Sequence, residues 1–192
     1  MRFDEITKLW IQIESLKATP ATKACLQLIY ITGARQSEVR LAKREYFNFE
    51  NNMWTVPPEN SKTIRRPISI KMKSILDTLV VVYGRSGYLI PRSNPHKPMT
   101  TNSINRYCCR IWEHLFTKYK MPKFLPHDAR RSISTLLSEN GVAPNGTEKM
   151  PGYSIGGIVE VYNRHAWLEK QREVYWLYWN KILNISERLI NI

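Results

Sequence analysis

Apolar positions along the chain recur first with helical period. Over residues 3–16, Phe3, Ile6, Leu9, Trp10, Ile13 and Leu16 fall on one face, and Asp4 stands where an N-cap would. Residues 20–33 open on Pro20 and close on Gly33, the usual start and stop of a helix, and a short helix over 35–42 follows at once. The period then changes. From 45 to 70, aromatic and β-branched residues dominate, with breaks at Glu50-Asn51-Asn52 and again over 57–62. That pattern predicts three short antiparallel strands, with Lys62 on the second loop. Helical spacing returns over 71–84 and, after a Pro/Ser/Asn loop at 91–98, over 100–119. A further helix lies within 125–141, with Pro126 near its first turn and Gly141 past its end. Residues 142–157 read as loop, carrying Asn145-Gly146, Pro151 and Gly156-Gly157. A last helix over about 167–190 contains "VYWLYW" (174–179), which is apolar on all sides and predicts docking onto the chain's own core. The expected fold is α+β and mainly helical, with a small three-stranded antiparallel sheet. The 192 residues form one domain without internal repeat or linker.

A composition of 43% hydrophobic and 23% charged residues is that of an ordinary soluble globular protein. No apolar run is long enough to cross a bilayer, and the opening "MRFDEITKLW" is no signal peptide, so no membrane partner and a cytoplasmic location are expected. Cys25, Cys108 and Cys109 show no CxxC or Cys/His ligand spacing, so neither a disulfide framework nor a metal site is expected. Charge changes the picture most. Lys and Arg number 29 against 16 Asp and Glu, leaving +13 spread along the chain rather than confined to a tail. Such an excess on a compact domain suits a polyanion, and nucleic acid, whose phosphates release counterions when neutralised, is the expected partner.

Phosphate-cradling loops, GxSxG, HExxH and dinucleotide fingerprints are missing, and the acidic residues are too scattered for a two-metal nuclease. A DNA-processing activity would rest on cations and a protein nucleophile. Four places supply such groups. Arg35, in "TGARQSEVR", follows a helix-ending Thr-Gly and sits between two helices. Lys62, in "PENSKTIRRP", lies on the hairpin loop. His127 and Arg130, in "LPHDARRS", are three apart on the first turn of a helix, where backbone N–H groups favour an anion. Tyr162, in "VEVYNRH", is one of ten tyrosines. Each taken singly is compatible with an ordinary surface or core residue.

Their order carries more weight than any one of them. Arg, then a hairpin lysine, then His-x-x-Arg, then a C-terminal tyrosine resembles the tyrosine recombinase (phage integrase) family. "TGARQSEV", "LPHDARRS" and "GGIVEVYNRHAWLEKQR" resemble the boxes around its first arginine, its second arginine and its nucleophile. The resemblance runs from about Leu16 onward and implies the family's catalytic domain, here over 1–192. The amino-terminal core-binding domain of such enzymes is expected to lie outside this chain. It also implies a site: Tyr162 as nucleophile, Arg35 and Arg130 on the phosphate, His127 taking the tyrosine proton or orienting the phosphate, and Lys62 protonating the leaving oxygen. Lys62, Arg65, Arg66 and Arg131 are the expected DNA contacts. Glu38, one turn after Arg35, either orients that arginine or is an exposed helix carboxylate.

The family's additional histidine, in a Leu-Gly-His box, is replaced by Pro151-Gly152-Tyr153, which makes Tyr153 the candidate donor in its place. The implied reaction is metal- and cofactor-free transesterification on double-stranded attachment-site DNA. A homo-tetramer is expected on DNA, and a monomer when the domain is isolated. The other expectation compatible with Pro151 and Tyr153 is a catalytically impaired DNA-binding remnant of a prophage integrase.

Overall fold

The computed structural model describes residues 1–58, 63–84, 86–142 and 164–190. Its helices are α1 (Phe3–Ser15), α2 (Pro20–Thr32), α3 (Gln36–Arg40), α4 (Ile70–Tyr83), α5 (Thr101–Tyr119), α6 (Asp128–Glu139) and α7 (Arg164–Ile190). A single 3-10 turn, Arg44–Tyr46, leads into strands β1 (Phe47–Asn48), β2 (Met53–Val56) and β3 (Ile64–Pro67), which form an antiparallel sheet in the order β1-β2-β3. The expected fold class and the three strands are both present.

Helix α2 explains the arrangement. Ala21 and every residue from Ala24 to Thr32 are buried, so no face of this helix is left for water. A helix apolar all round has to be surrounded, and α1, α3, α4, α5, α6 and α7 all touch it. Thr19 caps its start by accepting from the Thr22 N–H, and Pro20 occupies the first turn, where a missing N–H leaves no bond unmade. Gly33 ends it in the left-handed region, at φ 64° and ψ 15°, a conformation that glycine adopts without a Cβ penalty.

Two helix starts differ from expectation. The N-cap of α1 is Arg2, whose backbone N–H donates to Glu5 Oε2 at 2.7 Å, while Asp4 lies in the first turn and pairs with Lys8 instead. Helix α6 begins at Asp128, after Pro126, because the Asp128 carboxylate accepts from the Leu125 N–H at 2.8 Å and closes the preceding turn. The long last helix docks as expected. Gln171, Val174, Tyr175, Tyr178, Trp179 and Ile182 are buried at helical spacing, with Trp179 edge-on to Trp10 at 4.6 Å and Tyr178 against Phe3 at 5.9 Å. Trp176 faces away and is 64% exposed, so the apolar excess of this segment falls on one solvent-facing ring. Among the described residues no helix is long and apolar enough to cross a membrane.

Candidate active site and family

The end of α2 is where two of the candidate groups, Arg35 and Arg130, come together. A helix leaves its last carbonyls without intrahelical partners, and buried ones need donors from elsewhere. Here the Gly33 carbonyl accepts from Arg130 Nη1 at 3.0 Å, and the Thr32 carbonyl accepts from the Tyr175 hydroxyl at 3.4 Å. The Thr32 hydroxyl donates to the Leu28 carbonyl at 2.6 Å and accepts from the Ala34 N–H at 3.1 Å, which locks the turn from within. Arg35 leaves this turn as the N-cap of α3. Arg35 and Arg130 are 95 positions apart in sequence, but Arg130 is fastened to the Gly33 carbonyl, two residues before Arg35.

Glu38 holds Arg35 twice. Its Oε2 accepts from the Arg35 backbone N–H at 2.8 Å, and its Oε1 accepts from Arg35 Nη1 at 2.9 Å. The same carboxylate reaches Arg66, whose Nη2 donates to Oε2 at 2.9 Å. The carboxylate is thus shared by two guanidiniums and is itself only 7% exposed, so the three residues together retain one net positive charge. Of the two readings of Glu38, the orienting one matches this geometry. Arg35 keeps its side chain 50% exposed while being fixed at its base, an arrangement suited to presenting a guanidinium to an anion. Arg130 is 2% exposed, and its Nη1 bond sets the plane of its guanidinium.

Arg66 is a correction. The expectation placed it on the DNA beside Arg65, but it is wholly buried, with its guanidinium 5.1 Å from the Trp54 ring centre and paired to Glu38. The reason is the pleat. Successive residues of a strand face opposite sides, and on β3 the register Trp54↔Arg66 and Thr55↔Arg65 turns Arg66 inward and leaves Arg65 exposed. Arg131, on α6, is exposed as well. His127 is exposed at the N-cap of α6, and its backbone carbonyl accepts from the Arg130 N–H at 3.3 Å. Lys62, Tyr153 and Tyr162 lie outside the described residues.

Sequence reasoning missed Tyr175 and Gln171. Tyr175 is buried on α7, accepts from Gln171 Nε2 at 3.4 Å, and has the Arg66 guanidinium nearby. Burial pushes its phenol up to about 12, with Arg66 opposing the rise, so the group is a neutral hydrogen-bond donor at any working pH. A polar Gln171 one turn before Tyr175, on an otherwise apolar face, is the signal that could have marked it.

This fold has known counterparts. A model of the phage integrase family matches residues 1–168. Prophage integrase IntZ of Escherichia coli (strain K12) is 28% identical over 155 residues, which cover 78% of this chain and 37% of that protein. The chain therefore spans little more than a third of that relative's length. The solved lambda integrase catalytic core is similar with a TM-score of 0.64 at 18% identity, over 80% of this chain and 94% of that one. A XerH site-specific recombinase bound to difH substrate gives a TM-score of 0.68 at 18% identity, over 91% of this chain and 49% of that one. Those two likenesses establish the fold as that of a tyrosine recombinase catalytic domain, and with the family model matched from residue 1 to residue 168, the chain belongs to the phage integrase family.

Proposed function

We propose that this chain carries out site-specific DNA recombination, cleaving and rejoining double-stranded DNA at attachment sites through a 3′-phosphotyrosine intermediate. The observation that carries the reading is the fastening of Arg35 and Arg130 to one turn, with the exposed His127 three residues before Arg130. Two planar guanidiniums held in fixed orientation suit the non-bridging oxygens of a phosphodiester, and they gain most as extra negative charge develops on phosphorus. In the proposed step the Tyr162 phenol oxygen attacks the scissile phosphorus and the bond from phosphorus to the 5′-oxygen breaks. A free phenol has a pKa near 10, so the proton must leave as the oxygen attacks, and His127 takes it. Lys62 delivers a proton to the departing 5′-oxygen, leaving a 3′-phosphotyrosine and a free 5′-hydroxyl. The ester bond is conserved, so attack by a 5′-hydroxyl of another strand rejoins DNA by the reverse transfer.

Arg65 and Arg131 are exposed cations suited to the DNA backbone, within a chain of net charge +13. The XerH site-specific recombinase, solved bound to its difH substrate, supports DNA as the partner. Paired cleavage implies a tetramer on DNA, and the isolated chain is expected to be monomeric. Tyr153 stands where the family's additional histidine would be, and it donates to the phosphate from a neutral hydroxyl.

The test uses a pool of nicked DNA duplexes of randomised sequence, in which loss of the short cleaved strand traps the covalent intermediate. Mass spectrometry is expected to find the nucleotide on the peptide containing Tyr162, and Tyr162→Phe is expected to form none. Tyr153→Phe should slow adduct formation by about 10²–10³, the usual effect of losing one transition-state donor. Salt-sensitive DNA binding without any adduct would make the chain a DNA-binding remnant and overturn the reading.

A further inference from the structure

We propose that Tyr175 is a positioning residue for the arginine pair: from α7 its hydroxyl donates to the Thr32 carbonyl and so holds the turn that Arg35 leaves and Arg130 grips. The catalytic consequence rests on the recombinase reading, whereas the geometry stands without it.

The last two carbonyls of α2 are each taken by a different donor, Thr32 by Tyr175 and Gly33 by Arg130. Tyr175 therefore shares with Arg130 the task of satisfying one buried helix end. The Arg66 guanidinium lies near the same phenol and shares Glu38 with Arg35. A connected path thus runs from α7 through Thr32 and Gly33 to Arg130, and the Thr32 hydroxyl carries it on to the Ala34 N–H beside Arg35. Gln171 donates to the Tyr175 oxygen and fixes the direction of its O–H. The hydrogen bonds at Tyr175 measure 3.4 Å, at the weak end of the range, so the expected contribution is about tenfold in rate rather than the thousandfold of a group on the phosphate.

The same helix supplies a control. Tyr178, one turn further on, is fully buried, and its hydroxyl has no hydrogen-bond partner among the described residues. Both tyrosines pack their rings into the core, but only Tyr175 uses its hydroxyl. Removal of each oxygen separates positioning from simple burial.

The experiment compares Tyr175→Phe with Tyr178→Phe in the full chain by two readouts. In the DNA-free protein, hydrogen exchange at the Ala34 and Arg35 amides, which bond to Thr32 and Glu38, should quicken about tenfold in Tyr175→Phe and stay unchanged in Tyr178→Phe. In single-turnover cleavage of the nicked randomised duplex pool, Tyr175→Phe should be about tenfold slower with DNA affinity unaltered, and Tyr178→Phe should match wild type. A wild type that forms no adduct sinks the recombinase reading and leaves the exchange measurement to decide on Tyr175. Wild-type exchange at both amides, equal effects of the two variants, or a Tyr175→Phe protein that cleaves at the wild-type rate would overturn the inference.

Discussion

Arg65 and Arg66 are neighbours in sequence with opposite fates. One is a solvent-facing cation; the other is an interior guanidinium held by Glu38 and Trp54. Arg65→Ala should therefore weaken DNA binding about equally for all sequences, reduce its salt dependence, and leave the unfolding midpoint near wild type. Arg66→Ala should lower unfolding free energy by roughly 3–5 kcal/mol, because it breaks a buried charge pair. Denaturant titration and DNA titration of both variants check this, and a stable Arg66→Ala protein with weakened DNA binding would reverse the assignment. The sequence shows that one of two adjacent strand residues faces inward, but not which one. That depends on Glu38, 28 positions earlier, and on the cross-strand Trp54, neither of which is a local signal. Arg35 and Arg130 were legible because their motifs are compact in sequence, whereas the anchoring of Arg130 on the Gly33 carbonyl, two residues before Arg35, is a tertiary fact.

Helix α7 was legible as a helix, and its docking followed from its apolar excess, but its polar contacts were not. The hydroxyl of Tyr175 reaches Thr32 on another helix, a pairing that spacing within α7 does not encode. The consequence of burying tyrosines here is a pH dependence. The Tyr175 phenol is pushed from its ordinary 10 up to about 12, and burial also drives Tyr178 upward. A group that keeps its proton more tightly when folded stabilises the fold below its unfolded pKa and loses that contribution as pH rises toward the folded value. Stability from Tyr175 is thus complete below pH 10 and falls between about 10 and 12. In an alkaline titration, part of the phenolate absorbance should appear together with loss of helical circular dichroism, and Tyr175→Phe should reduce that part. Full tyrosine ionisation near pH 10 with the helices intact would contradict the burial of α7.

At the scale of the whole molecule, one helix, buried from Ala24 to Thr32, is packed on by the six other helices described. Because α2 is surrounded, its end is a rigid point, and the elements around it deliver Arg35 from α3, Arg130 from α6 and Tyr175 from α7 to that point. In the proposed function the chain's net charge of +13 would bring a polyanion to this surface, and the fixed guanidiniums would distinguish a bound phosphate from one about to react. Lys62, Tyr153 and Tyr162, which complete the proposed site, rest on motif order alone. The central claim is that Arg35 and Arg130 act as an oriented pair rather than as two positive charges. Single-turnover cleavage of the nicked duplex pool by Arg35→Lys and Arg130→Lys tests it most directly, since lysine keeps the charge and loses the planar donor fork. Each variant should cleave about 10²–10³ more slowly with DNA affinity nearly unchanged; cleavage at the wild-type rate by either would contradict the claim.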